Sequence, residues 1–214
     1  MSFYNFCRAE GKRKSSSVIN IETKLYIACQ NNDVDFVNNL LAQPGIKINQ
    51  ARESGATPLY IACQKGHVDV VQLLLARKEI QINQARKDGF TPLNIACQNG
   101  HVKVVNALLA RQEIQINQAQ ENGQSPLYSA CGYGHADVVR LLLDMPDIDV
   151  NRAMKNGMTP LSIATDRGHT EIVALLKAKI RALALGSAKK KYYFFWQQSW
   201  NTSPKPFFSN LMWE

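Results

Sequence analysis

GATPLYIACQKGHVDVVQLLLARKEIQINQARKDG, residues 55–89, is followed directly by FTPLNIACQNGHVKVVNALLARQEIQINQAQENG, residues 90–123. Between Thr57–Ala85 and Thr91–Ala119, 23 of 29 positions are identical, and five of the six differences involve a polar residue. Working outward, the same frame recurs as TKLYIAC at Thr23, SPLYSAC at Ser125 and TPLSIAT at Thr159, each 34 residues from its neighbour. A fixed period of this length is the signature of a solenoid, whose units are single supersecondary pieces that bury their apolar faces only by stacking.

The unit reads as helix, turn, helix, finger. Thr57, Thr91, Ser125 and Thr159 supply hydroxyls that cap a first helix, and Pro58, Pro92, Pro126 and Pro160 stand where a missing N–H costs nothing. Leu59, Ala62 and Cys63 fall on one face of that helix. Gly66, Gly100, Gly134 and Gly168 end it at positions that call for a positive φ. In the second helix, HVDVVQLLLA, the spacing predicts a buried stripe of Val68, Val71, Leu74 and Leu75. Alternating apolar pairs then precede Asn, as in Ile46 with Ile48 and Ile80 with Ile82, and a Gly follows. That pattern predicts a short extended, β-like finger with a tight turn. Neither helix is long enough to be stable by itself in water.

With GATPLYIA, GHVDVVQLLL and IQIN in hand, the chain resembles an ankyrin-repeat protein over residues 20 to about 182. The fold class is therefore all-α, a solenoid of stacked helix-turn-helix units with short finger hairpins, in repeats starting near residues 20, 54, 88, 122 and 156. Residues 1–19 form a basic extension, 20–186 the repeat domain and 187–214 a basic, aromatic-rich tail. Two departures stand out: the usual period is 33, and the usual His after TPL is Tyr26, Tyr60, Asn94, Tyr128 or Ser162. The resemblance gives His67, His101, His135 and His169 a structural role near the turn. The first unit, with Asn32-Asp33 for Gly-His and Asn38 and Asn39 on its second helix, reads as a polar N-terminal cap. The fifth reads as the C-terminal cap, with Lys177, Lys179 and Arg181 at the end of its helix, where cations suit the dipole.

The resemblance also implies a function, recognition of another protein through a concave face made of fingers and first helices. The residues placed there are Lys65, Lys87, Asp88, Phe90, Asn99, Gln124, Tyr133, Met158 and Arg167. Phe90, Tyr133 and Met158 are the large apolar groups among them and the candidates for one anchoring patch. Cys63 and His67 stand four apart, a zinc spacing, but a helix-ending Gly66 intervenes and equivalent pairs lie about 8–10 Å apart in successive units, so neither a shared metal nor a disulfide follows. No Walker loop, GxSxG, HExxH or dinucleotide fingerprint occurs, and no enzyme, metal or cofactor is expected.

The 214 residues carry a formal net charge of +8, but residues 1–17 and 187–214 hold +3 each, which leaves the repeats nearly neutral. Nucleic acid is accordingly not the expected partner. The tail holds nine of the 18 aromatics and all three Trp. The open alternatives for it are a solvated tail, disorder, packing on the last repeat, an out-of-frame sequence, or contact with an anionic membrane (by residues 189–200) or with nucleic acid, which would make the protein a targeting adaptor or effector. With no signal peptide in MSFYNFCRAEGKRK and no long apolar run, an intracellular, cytoplasmic monomer is expected.

Overall fold

The computed structural model describes the backbone of residues 20–202 and the side chains of residues 20–186. Its helices come in pairs: α1 (Ile21–Asn31) with α2 (Val34–Leu41), α3 (Pro58–Lys65) with α4 (Val68–Leu75), α5 (Pro92–Gln98) with α6 (Val102–Leu109), α7 (Pro126–Tyr133) with α8 (Ala136–Asp144), and α9 (Pro160–Asp166) with α10 (Thr170–Thr202). First helices stack on first helices and second on second along the chain, while each pair packs on itself. The result is a two-layer solenoid with one continuous core.

Local chemistry sets each unit. The hydroxyls of Thr57, Thr91, Ser125 and Thr159 accept from the backbone N–H three residues on, with Pro in the first turn. Gly66, Gly100, Gly134 and Gly168 have φ of 71–81°. At Gly100 a second constraint acts, because an added Cβ would lie 2.5 Å from Nδ1 of His135 in the next unit. Neither space nor φ admits a side chain there.

The core repeats with the sequence. Leu25, Leu59, Leu93 and Leu127 are at most 1% exposed, beside the alanine and cysteine columns of the first helices. On the second helices, Val71, Leu74 and Leu75 are buried as their spacing predicts, but Val70 takes the place expected of Val68, which is half-buried. The second helix is covered on two sides, by its own first helix and by the neighbouring second helices, so its apolar face is wider than one stripe.

The fingers differ from the β-like expectation. No strand occurs among the described residues, and the alternating Ile pairs sit in turns that bury Ile48, Ile82 and Ile116. Each finger is a closed loop: Arg86 N–H donates to Phe90 O at 2.9 Å and Gly89 N–H to Arg86 O at 2.9 Å. Only single backbone–backbone bonds join adjacent finger tips, Lys87 N–H to Ser54 O at 3.2 Å and Lys155 N–H to Asn122 O at 2.9 Å. One bond per neighbour is too little to build a ladder.

The fifth unit brings the other correction. Lys177, Lys179 and Arg181 do not end their helix, since α10 continues to Thr202. Residues 176–185 are mostly Ala, Leu, Lys and Arg, strong helix formers, and a single Gly186 costs only about 1 kcal/mol. Lys179 instead serves another helix: its Nζ donates to Leu143 O at 2.5 Å, in the last turn of α8. The cation does sit at a negative helix end, but the neighbour's.

Leu74 is fully buried between units, so Leu74→Ala is expected to cost about 2–5 kcal/mol. Thr91→Ala, which removes one cap, is expected to cost about 1 kcal/mol. Urea unfolding of both variants measures the two against each other, and equal costs would contradict the core assignment.

Candidate interaction face

The joints between units are built from side chains that reach backbone, and they position everything on the surface. Asn49 Nδ2 donates to Glu79 O at 2.7 Å while its Oδ1 accepts from Gln81 N–H at 2.9 Å. Asn83 repeats this on Glu113 and Gln115, and Asn117 on Asp147 and Asp149, at the same distances. One planar amide thus satisfies a donor and an acceptor of the next unit's loop. The histidines form a second series. Nε2 of His67, His101, His135 and His169 lies 2.8–3.4 Å from the carbonyls of Gln30, Gln64, Gln98 and Gly132 in the preceding unit. These carbonyls belong to the last turns of first helices, where intrahelical partners run out.

The residues that replace the usual His also find partners. Asn94 Oδ1 accepts from Thr91 N–H at 3.2 Å and Ser162 Oγ from Thr159 N–H at 2.8 Å, closing capping boxes. Tyr26 and Tyr60 are covered by the guanidinium groups of Arg52 and Arg86 from the following finger, 5.3 and 5.4 Å from the ring centroids. Burial pushes the Tyr60 hydroxyl pKa up, and Arg86 acts against it.

Along the C-terminal ends of α3, α5, α7 and α9, one residue per unit is exposed at the same position: Lys65, Asn99, Tyr133 and Arg167. Asn99 Nδ2 donates to Gln64 O at 2.8 Å and Arg167 Nη1 to Gly132 O at 2.9 Å, so both side chains are held across a joint. The Arg167 guanidinium also lies 5.6 Å from the centroid of Tyr133, which is 50% exposed. A large ring backed by a fixed cation makes a rigid platform in water.

The other predicted residues occupy the fingers. Lys87 and Asp88 are exposed at a tip, Asp88 paired with Arg86 at 2.5 Å. Phe90, Gln124 and Met158 share one position in three successive fingers, and all three are half-buried. Phe90 and Met158 pack on the core, and Met158 Sδ accepts from the Tyr128 hydroxyl at 3.9 Å. With Gln124 between them, they stand about 16–20 Å apart at the usual helix spacing. Of the three apolar residues, Phe90 and Met158 are therefore apart from each other, and Tyr133 is the exposed one.

The cysteines lie inside. Cys29, Cys63, Cys97 and Cys131 are free and fully buried, one in each of the first four units. Burial pushes the thiols of Cys29 and Cys131 up to about 12, and those of Cys63 and Cys97 further in the same direction. No group of three or more His, Cys, Asp or Glu that could hold a metal occurs among the described residues.

A stack of helix-turn-helix units, tied joint by joint and free to vary its exposed column, defines a repeat scaffold of the kind that binds other macromolecules. The family model for ankyrin repeats (3 copies) matches residues 25–120 and 111–183, and the chain belongs to the ankyrin-repeat family. No curated protein matches it. Ankyrin repeats are general protein–protein interaction modules and typically lack catalytic activity. No helix of the described residues is long and apolar enough to cross a membrane.

Raised thiol pKa values have a thermodynamic consequence. Below pH 9 the thiols are neutral in both states and their burial is fully tolerated; above it the unfolded chain ionises them while the fold cannot. Stability is therefore lost as pH rises from 9 toward 12, by about 1 kcal/mol per thiol per unit. Urea midpoints at pH 8 and 10.5 should show the fall, and in a Cys7→Ser background the four thiols should resist a disulfide reagent at pH 8 until the chain unfolds.

Proposed function

We propose that the protein is a non-enzymatic scaffold that binds a folded partner protein through the concave face formed by its fingers and first helices. The observation that carries this reading is the Tyr133 and Arg167 pair, an exposed aromatic ring held against a guanidinium that is itself tied to Gly132 O. Tyr and Arg are the residue types that dominate binding energy at protein interfaces, and here neither has to be ordered on binding. Asn99 and Lys65 continue the same column with a fixed amide and a cation. Three or four adjacent units can supply the roughly 800 Å² that a stable complex takes from each partner.

Lys87, Asp88 and Gln124 frame the face as polar rim. Phe90 and Met158, half-buried, contribute their outer edges to it. The partner's identity is the open variable and affinity capture followed by mass spectrometry supplies it. For the partner so found, Tyr133→Ala and Arg167→Ala are each expected to weaken binding at least tenfold by calorimetry. Asp69→Ala and Lys103→Ala, on second helices, should leave it unchanged. Full affinity in Tyr133→Ala, Phe90→Ala and Met158→Ala alike would place the binding site elsewhere.

A further inference from the structure

Three Asn-Gly steps occur in the sequence, Asn99-Gly100, Asn122-Gly123 and Asn156-Gly157. The pair has a chemistry of its own, because the side-chain carboxamide lies within reach of the peptide nitrogen that follows it, and glycine has no Cβ to obstruct the approach. In an unfolded chain the three steps are alike. The fold puts them in three different settings.

Asn99 is the most restrained. It caps the C-terminus of α5, its N–H donates to Ile95 O at 3.1 Å, and its Nδ2 donates to Gln64 O at 2.8 Å in the preceding unit. Gly100 is covered by the His135 ring, whose Nδ1 would lie 2.5 Å from an added Cβ. Asn122 and Asn156 stand instead at finger tips, both exposed. In each, Oδ1 accepts from the N–H two residues on, that of Gln124 at 2.9 Å and that of Met158 at 3.1 Å. An N–H on this oxygen draws electrons from Cγ and faces the negative charge that develops when Cγ is attacked. Nδ2, the group that has to leave, has no partner at either position among the described residues. The two tips differ in cover. Lys155 N–H, from the next finger, donates to Asn122 O at 2.9 Å, and Met154 Cα would lie 2.9 Å from a Cβ on Gly123. Residues 154–158 form the last finger, where Gly157 is exposed and a Cβ would meet no described atom within 4 Å.

We propose that Asn156 is a self-modification site, its amide converted to a carboxylate by the Gly157 nitrogen and water, ahead of Asn122 and with Asn99 protected. The Gly157 nitrogen gives its proton to hydroxide and bonds to Cγ of Asn156. The Cγ–Nδ2 bond breaks, and Nδ2 takes a proton from water and leaves as ammonia. Water then opens the cyclic imide. Addition at Cγ breaks the bond between Cγ and nitrogen and gives aspartate; addition at the main-chain carbonyl carbon breaks the peptide C–N bond and gives isoaspartate. No oxidant or reductant takes part. The Gly157 N–H first has to leave Met154 O, to which it donates at 2.9 Å, so conversion follows local opening of the tip and is fastest where cover is least. Aspartate suits the position, since Asp88-Gly89 occupies it in an earlier finger with Asp88 Oδ1 accepting from Phe90 N–H at 3.3 Å. The last finger then carries a negative charge next to the exposed Lys155 and two residues from Met158. Isoaspartate lengthens the main chain of the loop and opens its closing bond, Met154 N–H to Met158 O at 2.8 Å. The inference does not rest on the partner-binding reading, and its test uses the protein alone.

The full chain is incubated in mildly alkaline buffer, folded and in guanidinium chloride, and peptide mapping by mass spectrometry follows the three Asn-Gly segments separately. In guanidinium chloride all three should convert at similar initial rates. In the folded chain Asn156 should convert at least tenfold faster than Asn99, with Asn122 between them. Asn156→Gln, whose longer side chain would have to close a larger ring, should stop conversion at that position and leave Asn122 and the melting of the repeats unchanged. Conversion of Asn99 or Asn122 as fast as Asn156 in the folded chain would overturn the proposal. So would a folded chain in which Asn156 is inert while the denatured sample reacts.

Discussion

Every feature of this protein depends on the inability of one unit to stand alone. A helix of seven to nine residues is unstable in water, and each inner unit contributes two of them. Stability therefore resides in the joints, where Leu74 of α4 and its equivalents Leu108 and Leu142 bury their whole side chains against the neighbouring layers. Hydrophobic burial is non-directional, though, and would let one unit slide or rotate on the next. The directional part comes from Asn49, Asn83 and Asn117 and from the histidine series, which tie backbone groups 30 to 37 residues apart at fixed distances.

This division of labour frees the surface. Because the core columns and the Asn and His ties fix the architecture, positions such as Lys65, Asn99, Tyr133 and Arg167 carry four different chemistries on an unchanged backbone. The first three differ even though their units are close copies. Asn99 and Arg167 add a local refinement: they reach back to the preceding unit's carbonyl, so the display itself becomes part of the joint. The proposed binding surface is thus also structural and stiff, which favours recognition of a preformed epitope over wrapping of a flexible one.

Much of this was legible from residue order, for local reasons. Thr57 with Pro58, and Gly66 with its positive φ, obey rules that act within one turn of chain, and the period of 34 multiplies them until the fold is unambiguous. The misses share a cause in contacts the period does not encode. Val70 is buried because a neighbouring layer covers it, and Phe90 is half-buried because its finger lies on the core. The roles of Asn49 and Lys179 depend on which backbone groups another unit leaves unpaired. The strict recurrence of Asn in INQ and of Arg52 and Arg86 opposite Tyr26 and Tyr60 was a signal for two of these ties. The extent of α10 was hidden for the opposite reason: a lone Gly186 looks like a stop where the flanking residues simply outweigh it.

Close identity between consecutive units has a further effect on the joints. Asn49 and Asn83 meet loops that both read EIQIN, and the two surfaces of each inner joint are close copies of the next pair. A stretch of 34 residues can therefore be duplicated or lost by recombination with the cut ends still matching, and the array can change length without new interfaces having to evolve. The same interchangeability makes out-of-step pairing between two nascent chains nearly as favourable as correct pairing within one. The divergent first and fifth units limit that exchange, because their distinct end sequences mark where the count begins and stops.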